Sequence, residues 1–292
     1  MFSSKDPIAK SISEMIGGAL AFGVMATFVK LACQTLPSIE VVFFRSLLGS
    51  IAIGAMLWKE KASWIGKNPK TLVLRGVFGF LALATFFHAI GELKLGTAVM
   101  LNYTAPIIVV IIARIFLGEK TTWPIKLAIV ASFVGLYLLA APQLETKSQA
   151  VLIGFLSSIF AALAYIFIRT SSEEDSPYTI IFYFTVISAI GSFPFAQSSF
   201  QWPNLTEWIW LIGLSVGSFF GQVGLTKSIQ TAPVAAVLPF SYLTPVFSAV
   251  LGALIFKEYL STQALIGGGI IIASGIMVYL FREKSSFIPL EE

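Results

Sequence analysis

Of 292 residues, 57% are hydrophobic and only 12% carry a charge, and the mean hydropathy is +0.87. That is too apolar for a soluble globular domain, and a net charge of +4 is too modest to argue for nucleic-acid binding. Cys33 is the only cysteine, which excludes an internal disulfide and a thiolate metal cluster.

Ten apolar runs follow one another at 12–33, 37–58, 71–92, 95–117, 124–142, 149–170, 177–199, 207–229, 233–256 and 262–282. Each is long enough for a helix to cross a hydrocarbon core of roughly 30 Å. The short alternating segments of a membrane β-barrel are not seen. The expected fold is therefore all-α: an integral membrane protein of ten transmembrane helices, with no room left for a soluble domain.

Span 1 follows Lys5 and Lys10 and lacks a small-residue cleavage site, so it reads as a retained helix rather than a signal peptide. Gly23, Thr27 and Lys30 share one of its faces. In span 2, Arg45 stands eight residues past Pro37, about 12 Å along the axis and too deep to snorkel easily. Glu40 precedes it, and span 3 ends on His88 and Glu92. Ionisable groups inside spans are functional candidates by default, and these five predict a polar outer vestibule or a salt-bridged gate.

Span 4 carries a proline in its middle and is restated in span 9. An offset of 139 takes Asn102 to Ser241, Tyr103 to Tyr242, Pro106 to Pro245 and Glu119 to Glu258. The same offset takes Lys30 to Arg169, Arg45 to Phe184 and His88 to Lys227, with nothing inserted over about ninety residues. The chain thus divides into two units, 1–142 and 143–292, joined by the polar stretch 142–149. Five is an odd number of spans, so the two copies insert with opposite orientation, a 5+5 inverted repeat around a central cavity.

A proline inside a helix frees the carbonyl four residues earlier. For Pro106 and Pro245 those carbonyls belong to Asn102 and Ser241, each beside a tyrosine; Pro239 adds a second kink to span 9. Such sites are costly against lipid and suit a watery cavity. Asn102, Tyr103, Ser241 and Tyr242 are therefore expected to bind substrate, with Phe240, Tyr165, Tyr183 and Gln222 adding aromatic and polar wall. Lys30, Arg45 or His88 would meet a carboxylate. Pro106, Pro239 and Pro245 would serve as hinges, with Glu119 and Glu258 at the turns that follow. Gly213, Gly217 and Gly221 in span 8 form a small-residue face for close packing.

Fourteen of the nineteen lysines and arginines fall on the side that holds the N-terminus, Arg75 counted among them. By the positive-inside rule both ends are cytoplasmic. Trp58, Trp64, Trp123, Trp202, Trp208 and Trp210 sit at span ends, as interfacial anchors do. No P-loop, HExxH or aspartate-rich pair is present, and no carboxylate lies deep in a span. Enzymatic chemistry, a metal and a cofactor are not expected.

The 5+5 duplication, the stretch VVFFRSLLGS opening span 2, and the pattern AxxLxxxxP running into GE or KE resemble the EamA-type carriers of the drug/metabolite transporter superfamily. The resemblance covers nearly the whole chain. It implies a cavity lined mainly by helices 1, 3, 4, 6, 8 and 9, alternating access, and matches at Arg45, Pro106, Pro245, Glu119 and Glu258. It further implies a transporter, most simply an exporter of amino acids or related metabolites, acting as a monomer or weak homodimer in a bacterial inner membrane. The stretch IIFYFTVISAIGSFPFA is similar to S-adenosylmethionine carriers, the alternative substrate. A flippase or membrane-embedded enzyme is the third reading; a flippase would need a cavity open sideways to lipid.

Overall fold

The computed structural model describes residues 7–92, 98, 101–116, 123–140, 148–171, 175–197, 200–256 and 262–281. Among these residues the elements are helical throughout: α1 (Pro7–Ala32), α2 (Ser38–Lys59), α3 (Pro69–Glu92), α4 (Ala105–Phe116), α5 (Trp123–Ala140) and α6 (Ser148–Arg169). Then come α7 (Pro177–Ala196), α8 (Leu205–Thr231), the short α9 (Val234–Val237), a 3-10 turn (Leu238–Tyr242), α10 (Leu243–Phe256) and α11 (Thr262–Phe281).

Among the described residues six helices, α1, α2, α3, α6, α7 and α8, are long and apolar enough to cross a membrane, with stretches of 20 to 27 residues. Apolar side chains stand on the outside of the bundle, with Ile51, Ile190, Leu254 and Ile276 each more than half exposed. That surface is unfavourable in water and matched to hydrocarbon.

Local chemistry sets the helix starts. Pro69 and Pro177 open α3 and α7, where the missing N–H costs little. The Ser176 side chain accepts from the Tyr178 amide, and Asn204 and Glu207 cap the start of α8 reciprocally, at 3.0 and 2.7 Å.

The proline of span 4 does not kink a continuous helix as the sequence led us to expect, whereas span 9 passes from α through 3-10 to α without a gap. Leu101 and Asn102 are helical, Tyr103 and Thr104 form a turn, and Pro106 stands second in the new helix α4. Thr104 bridges the break: its Oγ1 donates to the Leu101 carbonyl at 2.7 Å, and its carbonyl accepts from Ile107. Span 9 is split further, with Pro239 in the 3-10 turn and Pro245 third in α10. A residue without an N–H is cheapest in a first turn, and each of these prolines stands second or third in its element.

The most extensive helix pairings recur when the two halves are exchanged. Close packing of α1 on α8 is mirrored by α6 on α3, α1 on α10 by α6 on α4, and α2 on α8 by α7 on α3. The equivalent helices α2 and α7 pack on one another, as do α5 and α11. Two residues also touch their own counterparts at offset 139. Arg45 lies over the Phe184 ring at 5.2 Å, and Tyr103 and Tyr242 have ring centroids 6.2 Å apart.

The glycine face of α8 lets α1 approach closely. A Cβ on Gly217 would sit 2.9 Å from the Ala21 carbonyl oxygen and the Met25 amide nitrogen, and one on Gly221 would meet the Phe22 ring at 2.6 Å. Gly135 of α5 likewise faces the Gly267 carbonyl of α11 at 2.7 Å. These contacts give the small residues a packing role.

Candidate functional site

A central cavity of about 960 Å³, its opening included, lies where the helices cross. Its wall comes from α1 (Met15, Ala19, Phe22, Met25), α3 (Arg75, Gly79, Ala82, Phe86), α6 (Ala161, Ala164, Tyr165) and α8 (Gln222, Leu225). The break before α4 contributes Asn102 and Tyr103, the 3-10 turn Ser241, and α10 Thr244 and Ser248. Arg45 enters from α2 and Phe184 from α7.

Breaking the helices is what brings these polar groups inward. Asn102 Nδ2 donates to Ser157 Oγ at 3.0 Å, tying the break to α6. Ser241 Oγ donates to the Leu238 carbonyl at 2.7 Å, satisfying an acceptor in the 3-10 turn. The Tyr242 ring is fully buried against Tyr103, and its hydroxyl has no hydrogen-bond partner among the described residues.

The electrostatic centre is a pair of arginines. Arg45 and Arg75 are each only 2% exposed, and both guanidiniums lie over the Phe184 ring, at 5.2 and 4.5 Å from its centroid. Arg75 Nη2 donates to Gln222 Oε1 at 3.2 Å. Arg45 Nε and Nη1 and Arg75 Nε are buried without an acceptor, and no described residue lining the cavity is acidic. Gly79 is what lets Arg75 lie flat, because a Cβ there would collide with its Nη1 and with Phe184.

The cavity thus gathers Arg45, Asn102, Tyr103, Tyr165, Gln222 and Ser241 from the residues expected to bind substrate. Other expected residues lie elsewhere. His88 is exposed and Lys30 half-buried, and neither lines the cavity; both stand toward the C-terminal ends of their helices, beyond the crossing. The Tyr183 hydroxyl donates to the Ile65 carbonyl at 3.1 Å and so fastens α7 to the loop after α2. Phe240 and Pro239 turn the other way, lining an apolar groove with Ile12, Ile16 and Ile271. Glu40 is buried but accepts from the Gln201 amide at 3.0 Å, pinning the approach to α8. Of the five ionisable groups expected at an outer vestibule, Arg45 is the one that lines this cavity among the described residues. Glu119 and Glu258 lie outside the described residues.

Arg75 corrects the charge map. Counted with the cytoplasmic lysines in the sequence, it is buried six residues into α3. Its sequence signal is Gly79, four residues on and hence on the same helical face, small enough to leave the guanidinium room.

At the end of the bundle where α6 meets α7, backbone and side chains tie the loop after α2 and the end of α8 to the α6–α7 connection. Asp175 Oδ1 accepts from the Lys67 amide at 2.6 Å, and the Asp175 carbonyl accepts from Gln230 Nε2 at 2.7 Å. Arg169 Nη1 donates to the Gln230 carbonyl at 3.1 Å, and Thr179 Oγ1 to the Ser63 carbonyl at 2.7 Å.

Comparison with known proteins agrees with this organisation. The EamA-like transporter family profile matches residues 10–141 and again 148–280. The pseudopaline exporter CntI of Pseudomonas aeruginosa (strain UCBPP-PA14) is 31% identical over 260 residues, 88% of this chain and 92% of that protein. The S-adenosylmethionine uptake transporter of Rickettsia bellii is 26% identical over 252 residues, 86% of each chain. A crystal structure superposes with a TM-score of 0.80 at 15% identity, covering 94% of this chain and 99% of the other, a likeness of fold alone. Relatives named as transporters, the doubled family match and the apolar helices make this a multi-pass membrane transporter of small molecules, not an enzyme. The chain belongs to the EamA-like transporter family.

Proposed function

We propose that the protein exports small amphipathic metabolites, amino acids or their relatives, across a bacterial inner membrane. Two five-helix units of opposite orientation would expose the central cavity alternately to either side, with both chain ends cytoplasmic. The observation that carries this reading is the cavity itself. Arg45, Asn102 and Ser241 offer a cation and polar groups to a carboxylate and amine, while Phe22, Phe86, Tyr103 and Tyr165 offer an apolar wall to the remainder. The exchange-symmetric helix pairing supports the inverted repeat, and the broken helices at Thr104 and Leu238–Tyr242 supply points where each unit can flex.

A second reading, S-adenosylmethionine exchange, is favoured by the names of the Rickettsia relatives. The cavity weighs against it: a sulfonium would enter a wall holding two buried arginines and no described carboxylate.

The test uses purified protein in liposomes preloaded with radiolabelled amino acids or S-adenosylmethionine. Saturable efflux of a carboxylate-bearing amino acid, lost in Arg45→Gln, is expected. Efflux of S-adenosylmethionine alone would overturn the first reading in favour of the second.

A further inference from the structure

We infer that the substrate carries two negative charges, and that Arg75 is a specificity-determining residue acting together with Arg45. This rests on the transport reading and narrows its substrate class.

A guanidinium taken out of water loses several kcal/mol of hydration unless ionic partners replace it. Here two are buried against one phenyl ring. Three of their nitrogens, Arg45 Nε and Nη1 and Arg75 Nε, have no acceptor. Among the described residues, the hydrogen bond on the pair goes to a neutral amide oxygen, that of Gln222. The cation–π contacts offset part of the cost but bring no negative charge. A structural ion pair would have placed an acid nearby, and none of the described lining residues is acidic.

The missing charge has to arrive with the solute. A neutral zwitterion brings one carboxylate and one ammonium and leaves the cavity doubly positive. A dianion cancels both arginines and completes the orphaned donors with charge-assisted hydrogen bonds. Gly79 belongs to the same device, because any side chain there would push Arg75 off Phe184. Two carboxylates or one phosphate share this chemistry, and the probes below separate them.

The experiment measures thermal unfolding of the purified full chain in detergent with succinate, glutarate or inorganic phosphate. The neutral amides succinamide and glutaramide, and S-adenosylmethionine, serve as comparisons. Dianions are expected to raise Tm and amides are not. Charged hydrogen bonds contribute about 1.5–3 kcal/mol each, so apparent affinity should fall about 10- to 100-fold in Arg75→Gln and in Arg45→Gln. It should be partly kept in Arg75→Lys and unchanged in Lys227→Gln, which alters a cation outside the cavity. Succinate and glutarate acting without phosphate assigns a dicarboxylate; phosphate alone assigns a phosphorylated solute. Equal stabilisation by amides, no stabilisation by any dianion, or full dianion affinity in both Arg→Gln variants overturns the inference. Counterflow of the same probes in liposomes keeps the two readings apart. Dianion binding without counterflow would contradict transport alone, whereas transport of neutral amino acids without dianion binding would contradict the charge assignment alone.

Discussion

Neutralising Arg75 should not destabilise the empty protein. In Arg75→Gln the losses are one hydrogen bond to Gln222, about 1.5–3 kcal/mol when the donor is charged, and a stack on Phe184, about 2 kcal/mol when desolvated. Against them stand the desolvation of a guanidinium that is only 2% exposed, several kcal/mol in effect, and its repulsion by Arg45. Both guanidiniums lie within 5.2 Å of one ring centroid, close enough for two like charges to repel by about 2 kcal/mol at an effective dielectric of 20. The sums are close, with the balance toward the variant. Thermal unfolding of the ligand-free protein should therefore show a Tm equal to or above that of the parent. If Arg75 were instead a structural tie with a hidden anionic partner, its removal would cost about 3–5 kcal/mol. A clear fall in Tm with reduced folded yield would refute the reasoning.

Other outcomes follow from the same contacts. Gly217→Leu should force α1 from α8, because even a Cβ there lies 2.9 Å from backbone atoms of Ala21 and Met25; overpacking of this kind costs about 1–3 kcal/mol. Gly17→Leu, with open space around it, should be neutral, and size-exclusion yield of the two variants checks the contrast. Gly79→Ala should lower solute affinity about tenfold by unseating Arg75, the loss of one charged contact, while Tm changes little; titration by thermal shift reads both. Tyr183→Phe removes the bond to the Ile65 carbonyl and should cost about 1 kcal/mol of stability with solute affinity unchanged, since this ring does not line the cavity.

Much of this site was legible in the sequence. Asn102, Tyr103 and Ser241 line the cavity, and they stand out in the sequence because proline position and an offset of 139 are properties of the chain. Arg45 was found because depth along a helix follows from counting residues past Pro37. Burial by a partner helix leaves no such mark. Arg75 stands close to Lys67 and Lys70 and so read as part of a basic loop, whereas the decisive neighbours, Phe184 and Gln222, come from helices over a hundred residues away. The same limit misplaced His88, Tyr183 and Phe240, whose residue types suit a cavity but whose helical faces turn elsewhere. The replacement of Arg45 by Phe184 in the second unit looked like a charge lost between repeats; in the fold the two residues are one contact.

The central claim is that one cavity faces the two sides of the membrane in turn. Its most direct test is cysteine accessibility at Ser248, which lines that cavity, using Ser248→Cys in a Cys33→Ser background reconstituted in liposomes. A membrane-impermeant thiol reagent is applied from outside or trapped inside. Labelling from either side, with a saturating substrate altering the two rates in opposite directions, is the predicted result. Labelling confined to one side under every condition, while transport continues, would contradict the account.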